Sequence, residues 1–377
     1  MTHPLNVILV AGTRPNLIKI ASLIEVLRRR PKSFTPRLVH TGQHYDDALS
    51  RVFFDELEIP RPDWNLDVGS SSHGQQTANI MLRLEPILLQ EKPQALLVVG
   101  DVNSTIAAAL AAVQLHIPVI HVEAGLRSFD RTMPEEVNRV VTDAISSLLL
   151  VSEPSGVENL AREGVDARRV HLVGNVMIDT LLRHRKKAET STILSDLKLS
   201  SGEYAVLTLH RPSNVDNPAT LLRVLEAVGQ IGKELPVVLP IHPRTLARIR
   251  QLGPGRGVEA TPGLRVVPPL GYLDFLRLQA EARMVLTDSG GIQEETTVLG
   301  VPCVTIRENT ERPITLTAGT NVLVGTDPPR ILAAARRVLR GEAKMPAGPP
   351  DLWDGRAAER IADILEGNCW SSLSAHR

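Results

Sequence analysis

Polar and charged residues recur where apolar, strand-like runs end. Gly12, Thr13 and Arg14 follow "VILVA", Gln43 comes just after "LVHT", Asp101 follows "LLVVG" and Glu123 follows "VIHV". In the second half His210 and Arg211 follow "AVLTL", His242 follows "VVLPI", and Asp288, Ser289, Gly290 and Gly291 follow "RMVLT". A glycine pair that leaves a strand and opens a helix presents backbone amides to an anion, phosphate above all. Arg14 and Lys19, in "GTRPNLIK", suit a phosphate or a partner carboxylate. Plainer uses exist for single residues. Asp101 suits a helix cap, Glu135 behind Pro134 suits the dipole of a first helical turn, and His210 and His242 suit satisfied structural histidines. Capping does not predict acids and bases recurring at strand ends in both halves of a chain; a ligand site does.

The elements that must position these groups read as alternating strands and amphipathic helices. "NVILVAG", "PRLVHTG", "ALLVVGD", "PVIHVE", "SLLLVS" and "VHLVG" form a first set, and "YAVLTLH", "PVVLPIH", "LRVVPP", "ARMVLTD", "VPCVTI" and "NVLVG" a second. Short β-branched or leucine-rich runs separated by longer helical stretches are the βαβ signature of parallel sheets. At 377 residues the chain exceeds one ordinary core. Two Rossmann-like, doubly wound parallel-sheet domains are therefore expected, residues 1–182 and 183–352, with the polar stretch 183–202 as their connection and a last helix at about 353–370.

Composition narrows the partners. With 42 basic and 42 acidic residues there is no polyelectrolyte surface, so a nucleic-acid polymer is not expected. Two cysteines, Cys303 and Cys369, exclude a disulfide framework and suit a reducing cytosol. No run is long enough for a membrane span, and the opening "MTHPLNVILVAG" does not read as a secretion signal. The first glycine turn is neither G-x-G-x-x-G nor a P-loop, so a tightly held dinucleotide or an ATP-hydrolysing site is unsupported. His121 and Glu123 in "HVEAG" lack a third ligand, which leaves no metal site and gives His121 a supporting role.

Taken together, "GTRPNLIK", "GDVNST", "HVEAGLRS", "MPEEVNR", "GNVMIDTL", "DSGGIQEE" and "TERPITLTAGT" closely resemble the non-hydrolysing UDP-N-acetylglucosamine 2-epimerase family, from about Val7 to Gly325. The resemblance implies the GT-B fold, two domains facing a central cleft that holds a UDP-sugar, with the last helix packing back on the first domain. It also implies a cytoplasmic homodimer without cofactor or metal, which interconverts UDP-GlcNAc and UDP-ManNAc for surface polysaccharide synthesis. By matching position, Asp101, Glu123 and Glu135 would be the carboxylates near the sugar and His210 would support the leaving diphosphate. Arg14 and Lys19 would meet the diphosphate or uridine end, Ser289, Gly290 and Gly291 the phosphates, Glu295 the ribose, Arg312 the nucleotide, and Phe275 the uracil. Glu294, about 100° around the helix from Glu295, is expected to be a solvated or dipole-complementing acid. Gln43, Glu136, Arg211 and His242 match parts of a second, allosteric UDP-GlcNAc site found in some bacterial members. That match is partial, because Asp46 replaces a glutamine and "DVGSSSHGQQ" lacks an arginine. "TGQHYDD" and "GTRPN" are also similar to the branch that epimerises diacetamido uronates. A hydrolysing epimerase, a GT-B glycosyltransferase and a non-enzymatic nucleotide-sugar sensor are the remaining alternatives.

Overall fold

The structure, a computed structural model, describes residues 3–42, 47–253, 257–258 and 261–367. The chain divides into two compact units, Met1–Arg183 with Asp351–Arg377, and His184–Pro350.

The N-terminal unit is built on strands β1 (Leu5–Ala11), β2 (Phe34–His40), β3 (Trp64–Asn65), β4 (Ala95–Val99), β5 (Val119–Ala124), β6 (Leu148–Val151) and β7 (Val170–Leu172). Its helices are α1 (Arg14–Arg28), α2 (Asp47–Glu56), α3 (His73–Glu91), α4 (Asn103–Gln114), α5 (Pro134–Ile145), α6 (Pro154–Arg162) and most of α7 (Val176–Ala188). The strands pair in parallel in the order β3-β2-β1-β4-β5-β6-β7. Strand β4 is apolar throughout and buried along its whole length, as a central strand covered on both faces must be. Alanines at 107, 108, 109, 111 and 112 let α4 approach the sheet closely.

The C-terminal unit continues with α8 (Ile193–Asp196), β8 (Ala205–Thr208), α9 (Pro212–Val215), α10 (Pro218–Gly232), β9 (Val237–Pro240), α11 (Pro243–Gln251), β10 (Leu264–Val267) and α12 (Tyr272–Ala280). It closes with β11 (Met284–Thr287), α13 (Gly290–Leu299), β12 (Cys303–Thr305), α14 (Pro313–Thr317), β13 (Asn321–Leu323) and α15 (Pro328–Leu339). Its parallel sheet runs β10-β9-β8-β11-β12-β13. Helix α16 (Ala357–Glu366) belongs to the N-terminal unit. Asp179 on α7 accepts from the Ala357 and Ala358 amides at 3.1 and 2.7 Å, and Trp353 donates from Nε1 to the Ser152 carbonyl at 3.0 Å.

In each sheet the strand order reverses once, between β1 and β4 and between β8 and β11. At such a switch point the following loops part in opposite directions and leave a crevice at the carboxyl ends of the strands. Gly12 and Asp101 stand there in the first unit, His210 and Asp288 in the second.

Candidate active site

In the N-terminal unit the start of α1 is organised by Asn16. Its Oδ1 accepts from the Gly12 and Thr13 amides at 3.3 and 3.2 Å and from the Thr13 hydroxyl at 2.9 Å, while its Nδ2 donates to the Val99 carbonyl at 3.0 Å. Pro15 in the first turn costs no helical hydrogen bond. A Cβ on Gly12 would lie 2.0 Å from Ser104 Oγ, so only glycine allows the β1 and β4 loops to come this close. Arg14 sits 5.5 Å over the Phe53 ring.

Lys19, five residues along α1, is buried against Glu123 in an ion pair. Sequence matching directed Lys19 to the diphosphate or uridine end; here its ammonium is engaged by a member of the carboxylate set. Glu123 stands at a break in the β5–β6 register, with a left-handed φ of +73°. A non-glycine residue held in that region at the end of a strand is strained, and such strain gathers at functional sites. Gly100, itself at φ +67°, makes room for the pair: a Cβ there would meet Lys19 Nζ at 2.9 Å and Glu123 Oε2 at 3.6 Å. Asp101, the next residue, is partly exposed and is held by the buried guanidinium of Arg139.

The adjacent acids at the start of α5 part ways. Glu135 is half-buried. Glu136 is buried and accepts from the Ser128 amide at 2.9 Å, the Ser128 hydroxyl at 3.0 Å, the Phe129 amide at 2.9 Å and Arg139. Burial pushes its carboxyl up, but these donors outweigh that and hold it below the usual range. Glu136, matched by position to part of a second site, here closes the loop at 128–129 with its oxygens and fixes the arginine that holds Asp101. Gln43 lies outside the described residues.

In the C-terminal unit Asp288 is the centre. It is fully buried and accepts from the amides of His210 and Arg211 at 3.0 and 2.9 Å and from Asn214 Nδ2 at 3.1 Å. His210 Nδ1 lies 2.8 Å from its Oδ1. Burial raises the Asp288 carboxyl, yet His210 and the amide donors bring it below the usual range. The His210 ring is 42% exposed, so the dyad fixes the imidazole by one nitrogen and leaves the ring open to a ligand. His242 caps α11, accepting at Nδ1 from the Arg244 amide at 3.2 Å, with its ring 6.3 Å from that of His210.

Ser289 caps α13, and Gly290 and Gly291 open it. A Cβ on Gly290 would lie 2.6 Å from Glu311 Oε1. Burial pushes the Glu311 carboxyl up, but Arg312, Arg307 and Arg211 drive it well below the usual range. Arg307 lies 2.7 Å and Arg211 3.5 Å from it, so Arg211 belongs to the cationic surroundings of this helix start. Arg312 is buried with its Nε 2.7 Å from Glu294 Oε1. Glu294 is thus fully buried, and the expectation of a solvated or dipole-complementing acid is corrected. Glu295 is buried beside Gln279, whose Nε2 donates at 3.3 Å; burial pushes its carboxyl up to about 7, with Gln279 opposing. Phe275 is half-buried on α12.

The residues thus gather as two sets. Asp101, Glu123 and Lys19 share the β1/β4/β5 end of one sheet with Arg14, while His210, Arg211, Gly290 and Arg312 share the β8/β11 end of the other. Asn16, Arg139 and Glu311 are the members that residue typing missed, and Asp288, picked out only as a residue that ends an apolar run, proves to anchor His210. Each lies inside a quoted motif ("GTRPN", "MPEEVNR", "DSGG", "TERP"), but only its distant partner reveals its role.

Two doubly wound parallel sheets, each with its polar residues at the switch point, define a two-unit α/β protein of the GT-B class. The family model for UDP-N-acetylglucosamine 2-epimerase matches residues 26–366, and the chain belongs to that family. A UDP-N-acetylglucosamine 2-epimerase of Methanococcus maripaludis is 41% identical over 366 residues, 95% of this chain and 98% of the relative. A UDP-2,3-diacetamido-2,3-dideoxy-D-glucuronate 2-epimerase of Pseudomonas aeruginosa is 39% identical over 368 residues, 96% of this chain and 99% of the relative. The crystal structure of Methanocaldococcus jannaschii UDP-GlcNAc 2-epimerase in complex with UDP-GlcNAc and UDP matches with a TM-score of 0.89 at 39% identity, over 96% of this chain and 99% of that one.

Proposed function

We propose that the protein interconverts UDP-N-acetylglucosamine and UDP-N-acetylmannosamine without net hydrolysis. The C2 proton is not acidic, because no carbonyl adjoins it in the ring. Inversion therefore proceeds by elimination: the C1–O bond breaks with its electrons going to the β-phosphate of UDP, a carboxylate takes the C2 proton, and a 2-acetamidoglucal forms. UDP then adds back to C1 while a proton reaches C2 from the opposite face. Two proton-transfer sites are needed, which Asp101, Glu123 and Glu135 supply. His210 stabilises the charge that gathers on the departing diphosphate. Ser289, Gly290 and Gly291 bind phosphate, Arg14 and Arg312 supply positive charge for the nucleotide, Glu295 accepts from the ribose and Phe275 flanks the uracil.

The observation that carries this reading is Glu123, a buried, strained carboxylate paired with Lys19. A transferase or a nucleotide-sugar sensor has no use for it. Incubation with UDP-GlcNAc in D2O, followed by proton NMR, tests it. UDP-ManNAc carrying deuterium at C2 is expected; free ManNAc or the absence of exchange overturns it. The 39% identity to the diacetamido uronate epimerase favours one second reading, a UDP-HexNAc derivative as substrate, and the same measurement on that sugar nucleotide decides between them.

Ribose binding by Glu295 has a consequence for pH. A hydroxyl donor bonds more strongly to a carboxylate than to a carboxylic acid, so ribose binding favours the ionised form of a group pushed up to about 7. Uridine, which lacks a titrating phosphate, is expected to bind about tenfold more weakly at pH 6 than at pH 8. In Glu295→Gln this dependence disappears; a wild-type affinity that is flat across the range removes Glu295 from the ribose site.

The reading includes a cytoplasmic homodimer serving surface polysaccharide synthesis. Leu82 and Leu89 on α3 are exposed, and Val137 on α5 lines an open groove of about 540 Å³ with Ala78, Met81 and Pro134 and with polar residues such as His73 and Arg131, a face that suits contact between copies. Leu82→Glu with Leu89→Glu is expected to yield monomers by light scattering, and an unchanged dimer excludes this face.

A further inference from the structure

We propose that Asp143 is a positioning residue that holds Glu123 in its reactive conformation, by gripping the chain on both sides of it. Asp143 lies on α5, fully buried. Its Oδ1 is 2.6 Å from His121 Nδ1, two residues before Glu123, and its Oδ2 accepts from the Gly125 amide at 3.0 Å, two residues after. One carboxylate therefore spans the segment 121–125, whose midpoint carries the left-handed φ of +73°. A strained residue persists only where its surroundings over-determine it, and this double grip is such a surrounding.

The same carboxylate reaches the second candidate acid through His121. The other ring nitrogen, Nε2, donates to the Gly100 carbonyl at 2.8 Å, and Gly100 precedes Asp101. The imidazole thus ties the end of β4 to the end of β5, with both nitrogens facing oxygen acceptors. Four residues earlier on α5, one helical turn, Arg139 reaches Asp101 itself. A single face of α5 therefore sets the backbone of Glu123 and the side chain of Asp101. Arg127 completes the network: its Nη1 is 2.7 Å from Asp143 Oδ2 and its Nη2 is 2.7 Å from Glu163, so it balances the buried charge.

The kinetic arm of the test rests on the epimerase reading, and a structural arm does not. Asp143→Ala removes both grips, Asp143→Asn keeps an oxygen for Gly125 and a donor for a neutral His121, and Arg127→Gln disturbs the network while leaving both grips. Asp143→Ala is expected to lose kcat by about 100-fold with KM changed less than about threefold, whereas Asp143→Asn and Arg127→Gln keep kcat within about tenfold despite lowered melting temperatures. Loss of kcat in step with loss of melting temperature across the three overturns the proposal. So does a crystal structure of Asp143→Ala in which Glu123 keeps its left-handed φ and its contact with Lys19. That structure decides the matter even if the wild type shows no C2 exchange, an outcome that would sink the epimerase reading instead. If Asp143→Ala does not fold, His121→Leu cuts one grip only and is expected to cost about tenfold in kcat; full activity there rejects the proposal.

Discussion

Glu123→Gln is expected to lower kcat by about 10²- to 10⁴-fold, the range for loss of a positioned general acid or base. Deuterium uptake at C2 should fall with it, because the amide cannot take the proton. The confounding effect is stability. Breaking a buried ion pair by removing one partner costs about 3–5 kcal/mol, since the other charge is left buried, and Lys19 is so placed. The double variant Glu123→Gln, Lys19→Met separates the two effects. It removes the stranded ammonium and should recover melting temperature, while C2 exchange stays lost. If exchange returns with stability, Glu123 is a structural anion and not the proton carrier.

His210→Ala is expected to cost about 10²- to 10³-fold in kcat, as does removal of one charge-stabilising donor from a developing oxyanion. KM should move little, because the interaction strengthens only as the C1–O bond breaks and charge arrives on the diphosphate. Asp288 holds the ring from behind by Nδ1, and it also fixes the His210 and Arg211 amides, so the imidazole cannot drift without disturbing the turn. Equal losses in kcat and in substrate affinity would reduce His210 to a binding contact.

Much of this was legible before any coordinates, for a topological reason. A doubly wound sheet delivers its loops to one edge, so Asp101, Glu123, His210 and Asp288 could be picked out simply as the residues that end apolar runs. Direction and partnership were not legible. Lys19 meets Glu123 across 104 residues, and nothing local in "GTRPNLIK" marks that its ammonium turns to a carboxylate. Neighbouring acids on a helix differ by about 100° in direction, yet which one is buried depends on what covers the helix. The burial of Glu294 is not legible because the segment bearing Arg312, which covers it, returns only after β12. The bonds of Glu136 are hidden as well, because the loop amides it closes, at Ser128 and Phe129, look like any other loop in sequence. The grip of Asp143 on residues 121–125 is hidden likewise: a single aspartate in the last turn of an amphipathic helix carries no sign of its addressee.

The division of the chain bears on how the protein is made. The C-terminal unit is one uninterrupted stretch, whereas the N-terminal unit is assembled from two stretches with the whole of the other unit between them. On the ribosome, the sheet carrying Asp101 and Glu123 can form early but waits for α16 until some 170 further residues have been translated, during which the sites for Trp353 and the α16 amides stay uncovered. The unit begun first is the unit finished last, and its exposure to misassembly or proteolysis during synthesis is set by the translation time of its neighbour.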